Sequence, residues 1–174
     1  LSGQKLGNLI FVALTDIYKG DTNKALEEFS KIISPSGRVL PATIDNVNIW
    51  AKNKDGQEVH GEQTIALGEF SGSRAREAVR LDPDAAKPYS VALEAIRTAD
   101  VLIAGPGDLF TTILPVLIVS QIKKAIKSSK AKKIFITNTT NKPFETPNFK
   151  VSDYLEALQR HVGKNIFDHV LVNT

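Results

Sequence analysis

The chain has 174 residues, 42% hydrophobic and 24% charged, with no Cys and no Met. That length suits one domain able to bury roughly 70% of its unfolded surface, and the composition is that of a soluble globular protein, not a disordered one. Without Cys there is no disulfide scaffold, thiolate metal site, Cys nucleophile or redox dithiol, in keeping with a cytoplasmic protein. Net charge is +3, and the basic excess lies in the second half: 11 basic and 12 acidic residues up to Lys87, then 11 and 7.

Leu6, Leu9, Ile10, Ala13, Leu14 and Ile17 recur at helical spacing, and Gly20 stops the pattern. Asp21 reads as the N-cap of a second helix with Leu26, Phe29, Ile32 and Ile33 on its buried side, ended by Ser34-Pro35-Ser36-Gly37. Residues 1–37 thus form a helical hairpin. The apolar run Leu9 to Leu14 is too short for a membrane span, which needs roughly 20 residues. It has neither the basic start nor the cleavage site of a secretory signal. No membrane partner is expected.

Residues 38–81 read as a small β subdomain. Val39-Leu40 and Val47 to Trp50 have strand composition, Asp55-Gly56 marks a hairpin turn, and Val59 and Ile65 continue the β pattern beyond it. A loose segment from Leu67 to Ser73 precedes a strand around Ala78 to Leu81.

Residues 82–174 alternate helix and strand. A helix from Tyr89 to Thr98 leads to a strand at Asp100 to Ala104. The loop Gly105-Pro106-Gly107-Asp108 then feeds helical sequence to Lys127. The next strand is Lys133 to Thr137, followed by a polar loop from Asn138 to Lys150. A helix from Ser152 to Val162 and a strand at Val170 to Val172 close the series. Strands separated by helices imply a parallel sheet, so the fold class is α/β: a Rossmann-like sheet with flanking helices plus a β-hairpin subdomain, all in one domain. Six lysines between Lys123 and Lys133 could attract phosphate. They fit better as the solvated face of a helix that buries Ile122, Ala125 and Ile126, since no aromatic interleaves them and no nucleic-acid motif is present.

Ligands of open parallel sheets sit beyond the carboxyl ends of the strands. Two such ends carry suitable residues. Gly105 to Thr112 is a glycine turn entering a helix, where backbone N–H groups can approach an anion; equally, Asp108 can simply cap that helix, and its carboxylate would compete with phosphate. Thr137 to Thr146 offers hydroxyls and amides. The sequence has no Walker A, G-x-G-x-x-G, G-x-S-x-G or H-E-x-x-H pattern. His60, His161 and His169 are too scattered for a metal cluster and read as surface or packing residues.

The order of segments is more specific than any one motif. LSGQKLGNLIFVALT, SGRVLPAT, KDGQEVHGE, EAIRTADVLIAGPGDLFTTILPVLIV, KKIFITN, and FET followed by NF and SD resemble the CofD-like family. Within it they look most like the YvcK group of gluconeogenesis factors. Related members are 2-phospho-L-lactate transferases of deazaflavin-coenzyme synthesis. The resemblance spans nearly the whole chain and implies a Rossmann-like core with added elements. It implies a regulatory protein that binds a UDP-sugar, notably UDP-N-acetylglucosamine, and is linked to gluconeogenic growth and cell shape. The alternative it carries is a phospholactate transferase working with Mg2+; otherwise no cofactor is expected. A third reading is a fragment of the fold that binds nothing.

Matched residue by residue, the resemblance implies ligand contacts at Gly7, Asn8, Gly105, Pro106, Gly107, Asn138, Glu145 and Thr146. Asp108 and Thr111, in the turn and the helix it feeds, complete the candidate set. The chain departs from the family pattern at Gln4, Lys5, Asp108, Phe110, Val116, Thr137, Thr139 to Asn141, and Pro147-Asn148. The family's opening strand and Gly-rich turn align upstream of Leu1, and its C-terminal part beyond Thr174. The resulting expectation is a partial domain with an unpaired strand edge, bare apolar surface and self-association into homo-oligomers.

Overall fold

The computed structural model describes residues 6–33, 36–67 and 76–173. Helix α1 (Leu6–Ile17) ends at Gly20, whose φ of +87° suits glycine, and α2 (Thr22–Ile33) follows. Asp21 caps α2 as expected: its Oδ1 accepts the Lys24 N–H at 3.1 Å. The buried side of α2 differs from the expectation. Ala25 is its buried residue, while Ile32 and Ile33 are exposed because the hairpin packs mainly on itself.

Strands β1 (Asn48–Asn53), β2 (Glu58–His60) and β3 (Arg76–Asp82) form an antiparallel sheet in the order β2-β1-β3, with the Asp55-Gly56 turn joining the first two. Two expectations are corrected here. Val39-Leu40 is irregular, not a strand. Ile65 lies in helix α3 (Glu62–Leu67), not in a strand. Gly61 at φ +82° turns the chain after His60, and the Ile65 N–H donates to the Gly61 carbonyl at 3.1 Å, so the helix starts at once. Ile65 is fully buried against Ala51 and Val59. Past Leu67, the loose segment expected to Ser73 lies outside the described residues, as do Ser34-Pro35 and Gln4-Lys5.

After α4 (Ser90–Thr98), strands β4 (Val101–Ala104), β5 (Lys132–Ile136) and β6 (His169–Leu171) form a parallel sheet in that order. The β4–β5 crossover holds a π-helical turn at Leu109–Ile113, then α5 (Leu114–Leu117) and α6 (Ser120–Ser128); α7 (Val151–Val162) makes the second crossover. Pro115 has no N–H to give the turn before it. Upstream of it the ladder is widened, with the Ile113 N–H reaching Asp108 O and the Leu114 N–H reaching Leu109 O. Helix α6 buries Ile122, Ala125 and Ile126 with its lysines outward, except that Lys123 Nζ also donates to the His161 carbonyl.

The main core centres on Phe110 and Phe135, both fully buried, and takes in Val79 and Leu81 from β3, so the two sheets share it. Leu102, Ala104 and Phe135 face this core from one side of the parallel sheet. On the other side Val101, Ile103 and Leu171 are 48%, 61% and 59% exposed. Parallel sheets are normally covered on both faces, and β4 has a free edge among the described strands. No single described helix is long and apolar enough to cross a membrane.

Candidate functional site

The carboxyl ends of β4 and β5 lie side by side, because Ala104 pairs with Phe135. Beyond β4 the chain turns at Gly105, at φ +88°. A Cβ there would stand 2.5 Å from the Ile136 carbonyl oxygen, so only glycine lets the turn pass this close to β5. One step on, the Gly107 N–H donates to Asn138 Oδ1 at 3.0 Å. This bond ties the glycine turn to the first residues of the β5 loop.

Asp108 does not cap the helix with its side chain. Its carboxylate is drawn instead to Lys142, with Oδ2 and Nζ 3.0 Å apart. The pairing also answers the electrostatic objection to an anion at this turn, since Lys142 neutralises the Asp108 charge and is itself half exposed. Lys142 was not singled out from the sequence.

Glu145 is 1% exposed and reaches the turn from the inside. Its Oε2 accepts the Phe110 N–H at 3.1 Å and its Oε1 accepts the Thr111 hydroxyl at 2.5 Å. Burial pushes the Glu145 carboxyl above the usual carboxylate range, against those two hydrogen bonds, which favour the charged form. Thr146, equally buried, accepts the Lys142 N–H at 3.0 Å and lies 3.2 Å from the Tyr154 hydroxyl, which in turn donates to Asn141 Oδ1 at 3.0 Å. Burial raises the Tyr154 pKa. Phe110 packs edge-on to Phe149 and His161.

Of the ten residues expected at the ligand, the structure brings together Gly105, Pro106, Gly107, Asp108, Thr111, Asn138, Glu145 and Thr146. Gly7 and Asn8 lie exposed in the first turn of α1, and no hydrogen bond among the described residues joins them to the others. Within the set exposure divides. Pro106, Asp108 and Asn138 keep access to solvent, whereas Glu145 and Thr146 are buried. Asn141 and Lys142 fall within the Thr137 to Thr146 run read as a ligand edge but had no role of their own there, and Tyr154 lay outside every candidate.

Beside the turn is a cavity of about 330 Å³ lined by Leu102, Ala104, Gly105, Pro106, Ile113 and Val116, among others. Its walls are apolar and suit a non-polar group; the polar rim of the site, Asp108, Asn138 and Lys142, is not part of its lining. Among the described residues the rim offers Mg2+ no unpaired carboxylate. Asp108 is paired with Lys142, both Glu145 oxygens are engaged inside the protein, and no cluster of three metal-ligating side chains occurs among the described residues.

Comparison with known proteins decides the family. The family described as 2-phospho-L-lactate transferase CofD matches residues 1–174. The chain belongs to the CofD family. It is 40% identical over 174 residues to the gluconeogenesis factor of Bacillus subtilis, covering all of this chain and 53% of that protein. Over 173 residues it is 40% identical to the gluconeogenesis factor of Halalkalibacterium halodurans, covering 99% of this chain and 52% of the relative. A crystal structure of a UPF0052-family protein from Bacillus halodurans superposes with a TM-score of 0.85 at 40% identity, over 99% of this chain and 54% of that one. The chain therefore spans about half the length of the relatives it matches, and its α/β architecture is theirs.

Proposed function

We propose that the edge formed by Gly105 to Asp108 and Asn138 to Lys142 binds a nucleotide sugar of the UDP-N-acetylglucosamine type. On this reading the protein is a binding regulator of gluconeogenic growth and cell shape, working in the cytoplasm and catalysing no reaction. The observation that carries it is the Gly107–Asn138 hydrogen bond between two adjacent strand ends, with the Asp108–Lys142 pair beside it. This is where an open parallel sheet presents backbone N–H groups and polar side chains to a ligand. With the Asp108 charge offset by Lys142, the turn no longer opposes a diphosphate, and the amides and hydroxyls of Asn138 to Asn141 suit a sugar. The relatives named gluconeogenesis factor support this branch.

A second reading, phospholactate transfer, is favoured by the description of the matching family. The rim's poor fit to Mg2+ counts against it. Calorimetric titration of the full chain separates the two. UDP-N-acetylglucosamine is expected to bind without Mg2+, and Asn138→Ala to weaken it about tenfold, the worth of one well-placed hydrogen bond. Heat with GDP and Mg2+ but none with the UDP-sugar, or turnover of a deazaflavin acceptor, would favour the transferase.

A further inference from the structure

The Glu145 carboxylate is buried to 1% exposure, sits 34 and 35 residues from its two partners, and faces the protein side of the turn. Burying a carboxylate is costly unless it is well hydrogen-bonded. Here both oxygens are used, and both hold the stretch that follows the glycine turn: the Phe110 N–H and the Thr111 hydroxyl. The residue is fixed at its other end as well, because its backbone carbonyl accepts the Arg76 N–H at 3.1 Å where β3 begins. Arg76 is 3% exposed and donates from Nη1 to Asn53 Oδ1 and from Nη2 to the Ile65 carbonyl at 2.7 Å. A continuous set of hydrogen bonds thus runs from β1 and α3 through Arg76 and Glu145 to the first residues of the π-helical turn.

That turn needs such a hold. Its hydrogen-bond ladder is widened to i−5 and it opens on Gly105 and Gly107, which constrain the backbone least. We infer that Glu145 is a positioning residue: without touching ligand, it sets the direction of the backbone from Gly107 to Thr111 and so the geometry of the binding rim. The inference rests on the nucleotide-sugar reading for its ligand, but its structural half can be tested without one.

The test uses the full chain with Glu145→Gln, Glu145→Ala and Thr111→Val. Two readouts are taken: amide hydrogen exchange at Phe110, and affinity for UDP-N-acetylglucosamine by calorimetry. Gln keeps an acceptor for the Phe110 N–H, so Glu145→Gln should keep that amide protected and retain most of the affinity. Glu145→Ala should release the amide and weaken binding by ~10-fold or more, as expected when a buried donor loses its partner. Thr111→Val removes one of the two bonds and should fall between them; it keeps the inference testable if Glu145→Ala does not fold. Two results would overturn it. One is a Phe110 amide that stays protected in Glu145→Ala. The other is Glu145→Gln binding as weakly as Glu145→Ala, since the charge itself would then be contacting ligand. If the wild-type chain takes up no UDP-N-acetylglucosamine, the nucleotide-sugar reading fails, while exchange at Phe110 still decides for or against Glu145.

Discussion

Helices α1 and α7 are each 12 residues long, and their burial is the reverse of their hydrophobicity. Helix α1, LGNLIFVALTDI, is the more apolar and has no buried residue. Helix α7, VSDYLEALQRHV, carries charges throughout yet buries Tyr154, Ala157, Leu158 and Val162. The difference is in what each can pack against. Helix α7 lies on β3 and α5, inside the shared core. Among the described residues helix α1 packs mainly on α2, notably through the edge-on Phe11–Phe29 pair at 5.8 Å. Burial stabilises only where a complementary surface exists, so an apolar stripe in sequence predicts a helix better than it predicts a core.

Substitutions can sharpen or break that contrast. The largest effect is expected on the α7 side, where Phe135→Ala or Leu158→Ala opens a cavity in the shared core and should lose about 2–5 kcal/mol in urea unfolding. Next comes Gly105→Ala, which sets a Cβ against the Ile136 carbonyl in a left-handed backbone. It should cost about 1–3 kcal/mol, read as a lowered Tm. If it were silent, the close approach of β4's turn to β5 would be wrong.

A pH effect should follow, also on the α7 side. His161 Nε2 accepts the Val79 N–H at 2.9 Å, while Nδ1 lies 2.6 Å from the Ala157 carbonyl, so the ring is needed neutral with its proton on Nδ1. Burial lowers its pKa below 6.5. The unfolded state therefore binds the proton more readily. Stability from this group is fully present above pH 6.5 and is lost as pH falls through the lowered folded value. Losing the Val79 bond should cost about 1 kcal/mol. Glu145, whose pKa burial raises from 4.5, acts in the opposite sense: its contribution is present below pH 4.5 and lost as pH rises through the raised value. Comparing wild type with His161→Gln by urea unfolding between about pH 5 and 7.5 isolates the histidine, and equal slopes would count against it. The smallest effect belongs to α1: Val12→Ala, at a site 65% exposed, should stay within about 0.5 kcal/mol. A loss comparable to Phe135→Ala would show that α1 has a buried partner after all.

Elements with local signals were legible from sequence. Asp21 and Gly20 marked the break between α1 and α2, Asp55-Gly56 marked the hairpin, and the alternation of strand and helix after Pro88 gave the parallel sheet. Ile65 was misread because a single glycine, Gly61, converts a strand into a helix within one turn. At the site, the glycine turn stood out because it sits at a strand end, where sequence position implies geometry, whereas Asn138 was singled out by the family resemblance. The division of labour was not legible. Whether Asp108 caps or pairs with Lys142, and whether Glu145 faces ligand or braces the turn, depends on partners 34 or more residues away. Tyr154 carried no signal in the sequence, since its hydroxyl meets Asn141 and Thr146 only in the fold.

The central claim is that the rim between β4 and β5 takes the nucleotide sugar. Amide chemical-shift mapping of the full chain during titration with UDP-N-acetylglucosamine tests it most directly. The account predicts the largest shifts at Gly107, Asp108, Thr111, Asn138 and Lys142, with Gly7 and Asn8 moving less. Saturable shifts centred elsewhere, or none at this rim, would contradict it.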